Sequence, residues 1–534
     1  KILGINSFHA GASAAIIIDG KVEFAIAEER LNRIKYFSGF PALSIQAGLN
    51  YSNLKINNID HIAIGRNPSS NLNKKIFYAA KNLHLLPNLI KIKTRKNKLD
   101  DLKFLLEKEC FFNPKDMRFE THNVEHHIAH TASAFYNSDF SNASGITIDG
   151  SGDFVTCMMT VCEDNTIKPV HKIYVPDSLG TFYSAICQYI GFENYGDEGK
   201  VMGLAPLGKD AYKNLFIDMI DYDRGKLVLN KKYFTKFGNN QGIFIRKDGT
   251  MGISKLYSDK LVTDYGPARK KNELIKEKDK NFAFSLQKRF EEIYMNLLND
   301  LYERVQNKNL VLAGGCALNS VANGKIYDLT KFKKTSIHPA AGDDGLAVGA
   351  ALYVAQNYKI SQRKVNLSPY LGKEYLKKEI KTELVKNKVN FIDTKETAFI
   401  NKIVNDMCNG SVVGWFQGRS EWGPRALGNR SIICHPGYPN MKDILNARIK
   451  KREAFRPFAP IVLEEYTDTI FECSQPSPYM LHVYKIRKKW RKKLSAVNHL
   501  DNTGRLQTLN KHQNPLLYEL IRTFHKKTGI PVIL

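Results

Sequence analysis

Three apolar runs open the chain, each bounded by polar turn residues: KILGIN, a turn around His9 and Gly11, ASAAIIID, the Asp19-Gly20 turn, and KVEFAIAEE. Short β-branched stretches punctuated in this way predict a three-stranded meander. The pattern returns near residue 144 as SGITID, a turn from Gly150 to Gly152, FVTCMMTVCED, a turn at Asn165, and TIKPVHKIYV. Stretches that predict helices follow each copy. The repeat therefore implies two related α/β lobes with a cleft between them.

Between the copies, the Ala-rich stretch Thr121 to Asn137 predicts a helix carrying His126 and His130 at i and i+4, on one face, where they can share a metal ion. The strand GITID then closes on Asp-Gly, read as a tight turn that delivers Asp149 to the strand's carboxyl end. Farther on, NLVLAGGCALN (Asn309 to Asn319) reads as a buried strand entering a Gly-Gly turn, a geometry that lets backbone N–H groups approach a nucleotide closely. A helix over 343–357 begins within GDDG, and Asp343 at its start reads equally as a cap or as a ligand. Two imidazoles with carboxylates suit iron, zinc, nickel or manganese, and ligand type alone does not choose among them. Between Asn357 and Lys373 the chain turns polar around Pro369 and Gly372, which predicts a linker and a second domain from about 373.

Length changes this picture little, since 534 residues already call for two or more domains. Charge changes it more: 79 Lys and Arg against 53 Asp and Glu, a formal +26, favours anionic partners such as nucleotides and phosphorylated donors. Basic runs at Lys91 to Lys98, Arg269 to Lys280 and Lys485 to Lys493 read as solvated faces. A different texture marks Gly414 to Ile432 (GWFQGRSEWGPRALGNRSI) and Asn446 to Leu463 (NARIKKREAFRPFAPIVL), where Arg419, Arg425, Arg430 and Arg456 stand among glycines, prolines and aromatics. Rigid neighbours that hold guanidiniums together point to an anion site. The eight cysteines are dispersed without a CxxC pair, which argues against a zinc ribbon, a thioredoxin-like site and a disulfide scaffold. No apolar run approaches 18 residues and no leader is visible, so a cytoplasmic protein without a membrane span is expected.

Ten stretches, in order, resemble the O-carbamoyltransferase family of nodulation and antibiotic carbamoyltransferases, including the one that makes nebramycin: GINSFHAGASAAIIIDG, AEERLNRIK, EHHIAHTASAFY, ITIDGSGD, GDEGKVMGLAPLG, GGCALNSVAN, PAAGDDGLAVGAAL, GRSEWGPRALGNRSI, KKREAFRPFAP and TGRLQT. The resemblance implies an α/β protein with a duplicated, two-lobed domain of the actin/hexokinase-like type over 1–357 (lobes about 1–140 and 141–357). A linker over 358–372 and a YrdC-like domain over 373–534 would follow, with a further segment beyond TGIPVIL. It also implies that the second domain forms carbamoyladenylate from carbamoyl phosphate and ATP, with magnesium accompanying the ATP, and that the first transfers the carbamoyl group to a hydroxyl of a small molecule or sugar. On matching positions, His126, His130, Asp149 and Asp343 would hold ferrous iron or another divalent metal. His9 and Lys35 would stand at the transfer site, with His9 as general base or acceptor-orienting group. Gly314, Gly315 and Asn319 would face the nucleotide, and Arg425, Arg430, Lys450, Arg456 and Arg505 would bind the phosphates of ATP and carbamoyl phosphate. Ala10 stands where many relatives carry Asp, and Tyr36 where many carry His.

A tRNA-modifying enzyme using the same intermediate is the nearest rival, and an ATP-binding regulator is the rival outside catalysis. The arginine-rich second domain has no task in the latter. No nucleic-acid partner is expected, and a homodimer is compatible with the resemblance.

Overall fold

The computed structural model describes residues 1–82, 101–236, 242–473 and 475–534; the basic run Lys91 to Lys98 lies outside them. The opening meander forms as antiparallel β1 (Ile2–Asn6), β2 (Ser13–Ile18) and β3 (Lys21–Ala27). On the other side of β1, β4 (His61–Ile64) and β5 (Glu120–Asn123) join in parallel, giving the order β3-β2-β1-β4-β5. Its core is built from alternating inward residues such as Leu3, Ile5, Ile16, Phe24, Ile62 and Ile64.

The second meander is β6 (Asn142–Gly152), β7 (Val155–Glu163) and β8 (Thr166–Tyr174). Two hairpins follow, β9 (Ile220–Asp223) with β10 (Lys226–Leu229) and β11 (Ile243–Ile245) with β12 (Met251–Ile253). Then β13 (Asn309–Ala313) and β14 (Lys334–Ile337) extend the sheet in parallel from β6, in the order β14-β13-β6-β7-β8. Both sheets pair an antiparallel meander with two parallel strands in the same succession, so the repeat in the apolar pattern is a repeat in topology.

Two local expectations are corrected. The helix expected from Thr121 begins only at His126, because Glu120–Asn123 pairs as edge strand β5 and Glu125 occupies the cap position. The turn expected at Gly150 to Gly152 falls instead at Asp153 and Phe154, whose φ values of 47° and 76° match a primed hairpin turn, and β6 carries an irregularity between Ile148 and Gly152.

Helix Leu346–Asn357, rich in Ala and Gly, packs against β1 and against helix His126–Phe135. Gly349 permits the second contact: a Cβ there would fall 1.8 Å from the Ala129 carbonyl oxygen. None of the described helices is long and apolar enough to cross a membrane.

The chain divides into two compact units, Lys1–Leu318 with Ile326–Leu367, and Asn319–Lys325 with Ser368–Leu534. The second unit contains the pair β15 (Val413–Phe416) and β16 (Arg430–Ile433) and a four-stranded sheet of β17 (Ile461–Leu463), β18 (His482–Lys485), β19 (Thr503–Leu509) and β20 (Val532–Ile533), ordered β18-β19-β17-β20. Its core gathers Trp415, Phe471, Leu506, Leu517 and Phe524.

Candidate functional site

Every residue of helix His126–Phe135 is buried, and its start is fixed twice. Glu125 accepts from the Ile128 N–H at 2.8 Å, and Asp153 Oδ2 accepts from the N–H groups of His126 (2.9 Å) and Asn67 (2.7 Å). One turn on, His130 Nε2 lies 3.1 Å from His126 Nε2. The end of β6 brings Asp149 Oδ2 to 3.2 Å from His130 Nε2 and 3.8 Å from His126 Nε2. Asp343 Oδ1, from the 3₁₀ turn before helix Leu346–Asn357, lies 3.4 and 3.7 Å from the same two nitrogens. All four donor atoms fall within 4.8 Å of one another. Atoms separated by 3.1, 3.2 and 3.8 Å lie on a circle of radius about 2.0 Å, as do those separated by 3.1, 3.4 and 3.7 Å; this is the bond length that imidazole and carboxylate donors make to a divalent transition metal.

The polar accounting agrees. Asp343 does not cap the helix: Gly345 holds that position, Gly342 precedes the 3₁₀ turn, and among the described residues the buried Asp343 Oδ1 accepts no hydrogen bond. A buried carboxylate oxygen without a donor fits a cation. Burial alone would push the His130 imidazole down, but Asp149 and Asp343 outweigh it and hold its pKa up at about 9. Burial would raise both carboxyls; the histidines instead hold Asp149 well below its usual range, and His9 and His130 bring Asp343 down to about 2. Burial keeps His126 low. His127 faces away, bonded to Thr147 Oγ1 and the Val155 carbonyl, and burial holds it neutral.

His9 joins this cluster. Its Nδ1 lies 2.8 Å from Asp343 Oδ2, and its ring meets His126 edge-on at 5.5 Å. Burial lowers its pKa but Asp343 more than compensates, leaving it raised. The loop that carries His9 is tied to the same place by Asn6, whose Nδ2 donates to the carbonyls of Ala10, Gly11 and Asp343. The Gly-Gly turn is also here: Gly314, at φ 89°, packs its backbone against Ile148 where a Cβ would come within 2.4 Å of a carbonyl oxygen, and the Gly315 N–H donates to Asp149 Oδ2 at 3.2 Å. Lys35 is exposed, with its ammonium over the Tyr36 ring.

In the second unit four guanidiniums crowd together. Arg505, on β19, is pushed well below the usual arginine range by burial and then by the charges of Arg425, Arg456 and Arg452, and its buried Nε has no hydrogen-bond partner among the described residues. Arg452, reduced to about 10 by burial and Arg456, donates to Asn446 Oδ1 at 2.8 Å and lies 4.6 Å over the Phe458 ring. Lys450 sits beside it, lowered by desolvation and by the Arg452 charge. Such a cluster is self-repelling without an anion. Glu421 shapes the loop that holds Arg425: its buried Oε1 accepts the N–H groups of Leu427, Asn429 and Arg430, each at 2.9 Å. Arg430 itself departs from the expectation. It donates to the carbonyls of Gln417, Gly418, Asn429 and Lys373 and stacks on Phe416 at 3.6 Å, which makes it a brace of the loop. Arg419 is likewise engaged by the Gly372 and Leu371 carbonyls. Asn319 caps helix Ser320–Asn323 by accepting from the Ala322 N–H, within the second unit.

Against known families, residues 1–352 match the description "Carbamoyltransferase N-terminus" and residues 404–534 "Carbamoyltransferase C-terminus". The chain belongs to the carbamoyltransferase family. An uncharacterised protein of Synechocystis is 34% identical over 572 residues, covering 100% of this chain and 90% of that protein. The nodulation protein NolNO of Sinorhizobium fredii is 34% identical over 546 residues, covering 99% of this chain and 74% of its own. Among solved structures, HypF of T. kodakarensis aligns over 67% of this chain and 47% of its own at 13% identity and a TM-score of 0.31, too weak a likeness to build on.

In this carbamoyltransferase, then, the structure brings His9, His126, His130, Asp149 and Asp343 together with Gly315, and gathers Arg425, Arg456 and Arg505 with Lys450. Four participants escaped the sequence reading: Asn6, Asp153, Glu421 and Arg452. Arg452 lies inside KKREAFRPFAP, where its spacing of six from Phe458 was the available signal.

Proposed function

We propose that this carbamoyltransferase uses ATP and acts in two steps, one in each unit. In the second unit, read as YrdC-like on the sequence resemblance, water hydrolyses carbamoyl phosphate to carbamate and phosphate, and a carbamate oxygen then attacks the α-phosphorus of ATP, giving carbamoyladenylate and displacing pyrophosphate. Negative charge accumulates on phosphoryl oxygens throughout, and Arg425, Arg452, Arg456 and Arg505 are placed in advance to meet it. In the first unit, read as actin/hexokinase-like because its two sheets repeat one strand order, the carbamoyl group passes to a hydroxyl of a small molecule or sugar and AMP leaves.

The observation that carries this reading is the convergence of His126, His130, Asp149 and Asp343 on one point, with His9 2.8 Å from Asp343. These four residues would hold a divalent ion, ferrous iron by the resemblance, which supplies Lewis acidity. His9 keeps Nδ1 toward Asp343 Oδ2, so Nε2 is the atom that takes the acceptor hydroxyl's proton. Gly315 and Asp153 hold Asp149 and the histidine helix in place.

With carbamoyl phosphate, ATP and ferrous ion, the enzyme should release pyrophosphate. His130→Ala should retain that release and lose product formation by at least about 100-fold. Absence of carbamoyl-phosphate-dependent pyrophosphate release would sink the two-step reading, and equal loss of both steps in His130→Ala would contradict the division between units.

A further inference from the structure

A second group of metal-donor side chains lies in the first lobe, apart from the cluster just described. His61 is the first residue of β4 and Glu120 the first of β5, and the parallel register pairs them directly, with Ala63 opposite His122. Because side chains alternate along a strand, His61, Glu120 and His122 share one face of the sheet, while Ile62 and Ile64 point into the core on the other. The backbone therefore dictates the grouping. His61 Nδ1 lies 3.1 Å from His122 Nε2, and Glu120 Oε2 lies 3.5 Å from the first and 3.8 Å from the second.

Three atoms at those separations lie on a circle of radius about 2.0 Å, so one ion at its centre stands at normal bonding distance from all three. The histidines are mostly buried while Glu120 is 74% exposed, which leaves the outer side open to water as a further ligand. The His122 ring packs on Tyr358 at 4.7 Å, immediately past the carboxyl end of helix Leu346–Asn357, where the helix dipole favours a cation.

We propose that His61, Glu120 and His122 form a second divalent transition-metal site that clamps edge strand β5 to β4. Two nitrogens and one carboxylate oxygen select zinc, nickel or copper over magnesium or calcium. The site closes the carboxyl end of the helix whose amino-terminal turn supplies Asp343, about 18 Å away along a 12-residue helix. β5 leads directly to His126, so an ion here also pins the approach to the first cluster.

The test is metal stoichiometry of the full-length protein by equilibrium dialysis against zinc followed by elemental analysis. Wild type should hold one more equivalent than a His61→Ala, His122→Ala variant, whether or not the His126 cluster is loaded. His130→Ala should lose a different equivalent, so failure at one site is read separately from failure at the other. The surface variant Glu120→Gln, which leaves the fold undisturbed, should weaken the extra equivalent on the order of tenfold. Cobalt substitution should add visible d–d bands that the histidine variant lacks. Equal stoichiometry and equal cobalt spectra in wild type and the His61→Ala, His122→Ala variant would overturn the proposal and leave a hydrogen-bonded histidine pair.

Discussion

Metal affinity at the His126 cluster should depend steeply on pH, and the structure sets both the direction and the size. Without metal, Asp149 and Asp343 hold a proton on His130 up to a pKa of about 9 against the pull of burial. An entering cation must displace that proton, so affinity rises about tenfold per pH unit up to 9 and then levels off. Between pH 7 and pH 9, where the group is half titrated, this amounts to about 2.3 kcal/mol, or roughly 50-fold in Kd. Stability of the metal-free protein moves the other way. The folded pKa stands above the unfolded value near 6.5, so this group's stabilisation is fully present below about pH 6.5 and fades as pH rises through 9, a loss of about 3 kcal/mol. The metal-loaded protein has no such proton to lose. Chelator competition for cobalt at pH 6.5, 7.5 and 8.5, in a His61→Ala, His122→Ala background, reads the first effect; thermal melts with and without metal read the second. A Kd constant within twofold, together with a metal-induced Tm shift that does not grow with pH, would refute the assignment of the proton to His130.

Two substitutions test the supports around the sites. Gly349→Ala places a methyl group 1.8 Å from the Ala129 carbonyl, so helices His126–Phe135 and Leu346–Asn357 must part; urea unfolding should show a loss of about 1–3 kcal/mol despite alanine's better helix propensity, with weakened metal binding, and wild-type values for both would show the contact to be soft. Glu421→Leu strands three N–H groups, the buried pair on Leu427 and Asn429 at about 1–3 kcal/mol each, and should abolish pyrophosphate release, whereas Glu421→Gln keeps an acceptor and should recover part of it; indistinguishable variants would remove Glu421 from the support of the arginine loop.

The parts of the fold legible in the sequence are those set by neighbours. Both meanders could be read because Asp-Gly and Asn turns separate β-branched runs, and β1, β2, β3, β6, β7 and β8 lie close to where that pattern puts them. The i,i+4 spacing of His126 and His130 likewise survives whatever surrounds it. Misplacements come where a partner decides. Thr121 to Asn123 is a strand only because β4 accepts it in register, and the hairpin turn moves to Asp153 because β6 and β7 continue pairing past Asp149. Arg430 and Arg505 look alike in sequence, each among glycines and apolar neighbours, yet carbonyls saturate one while three guanidiniums press on the other. Only the fold tells a brace from an anion donor.

The same distinction explains why one cluster of candidate metal donors could be read from the sequence and the other could not. The His126 cluster joins a local pair to two carboxylates, each announced by its own motif, so each component carried a signal before the fold assembled it. His61 and His122 stand 61 residues apart, and neither sits in a recognisable motif. Their meeting depends on a parallel register between two four-residue strands, and a slip of one residue would send His122 to the opposite face, toward the core. A site of that kind has no sequence signature, because its information lies in strand pairing. Register-matched donors on one sheet face are therefore what a search for unannounced metal sites should seek, with donor atoms whose separations fit a circle of about 2.0 Å as the geometric filter.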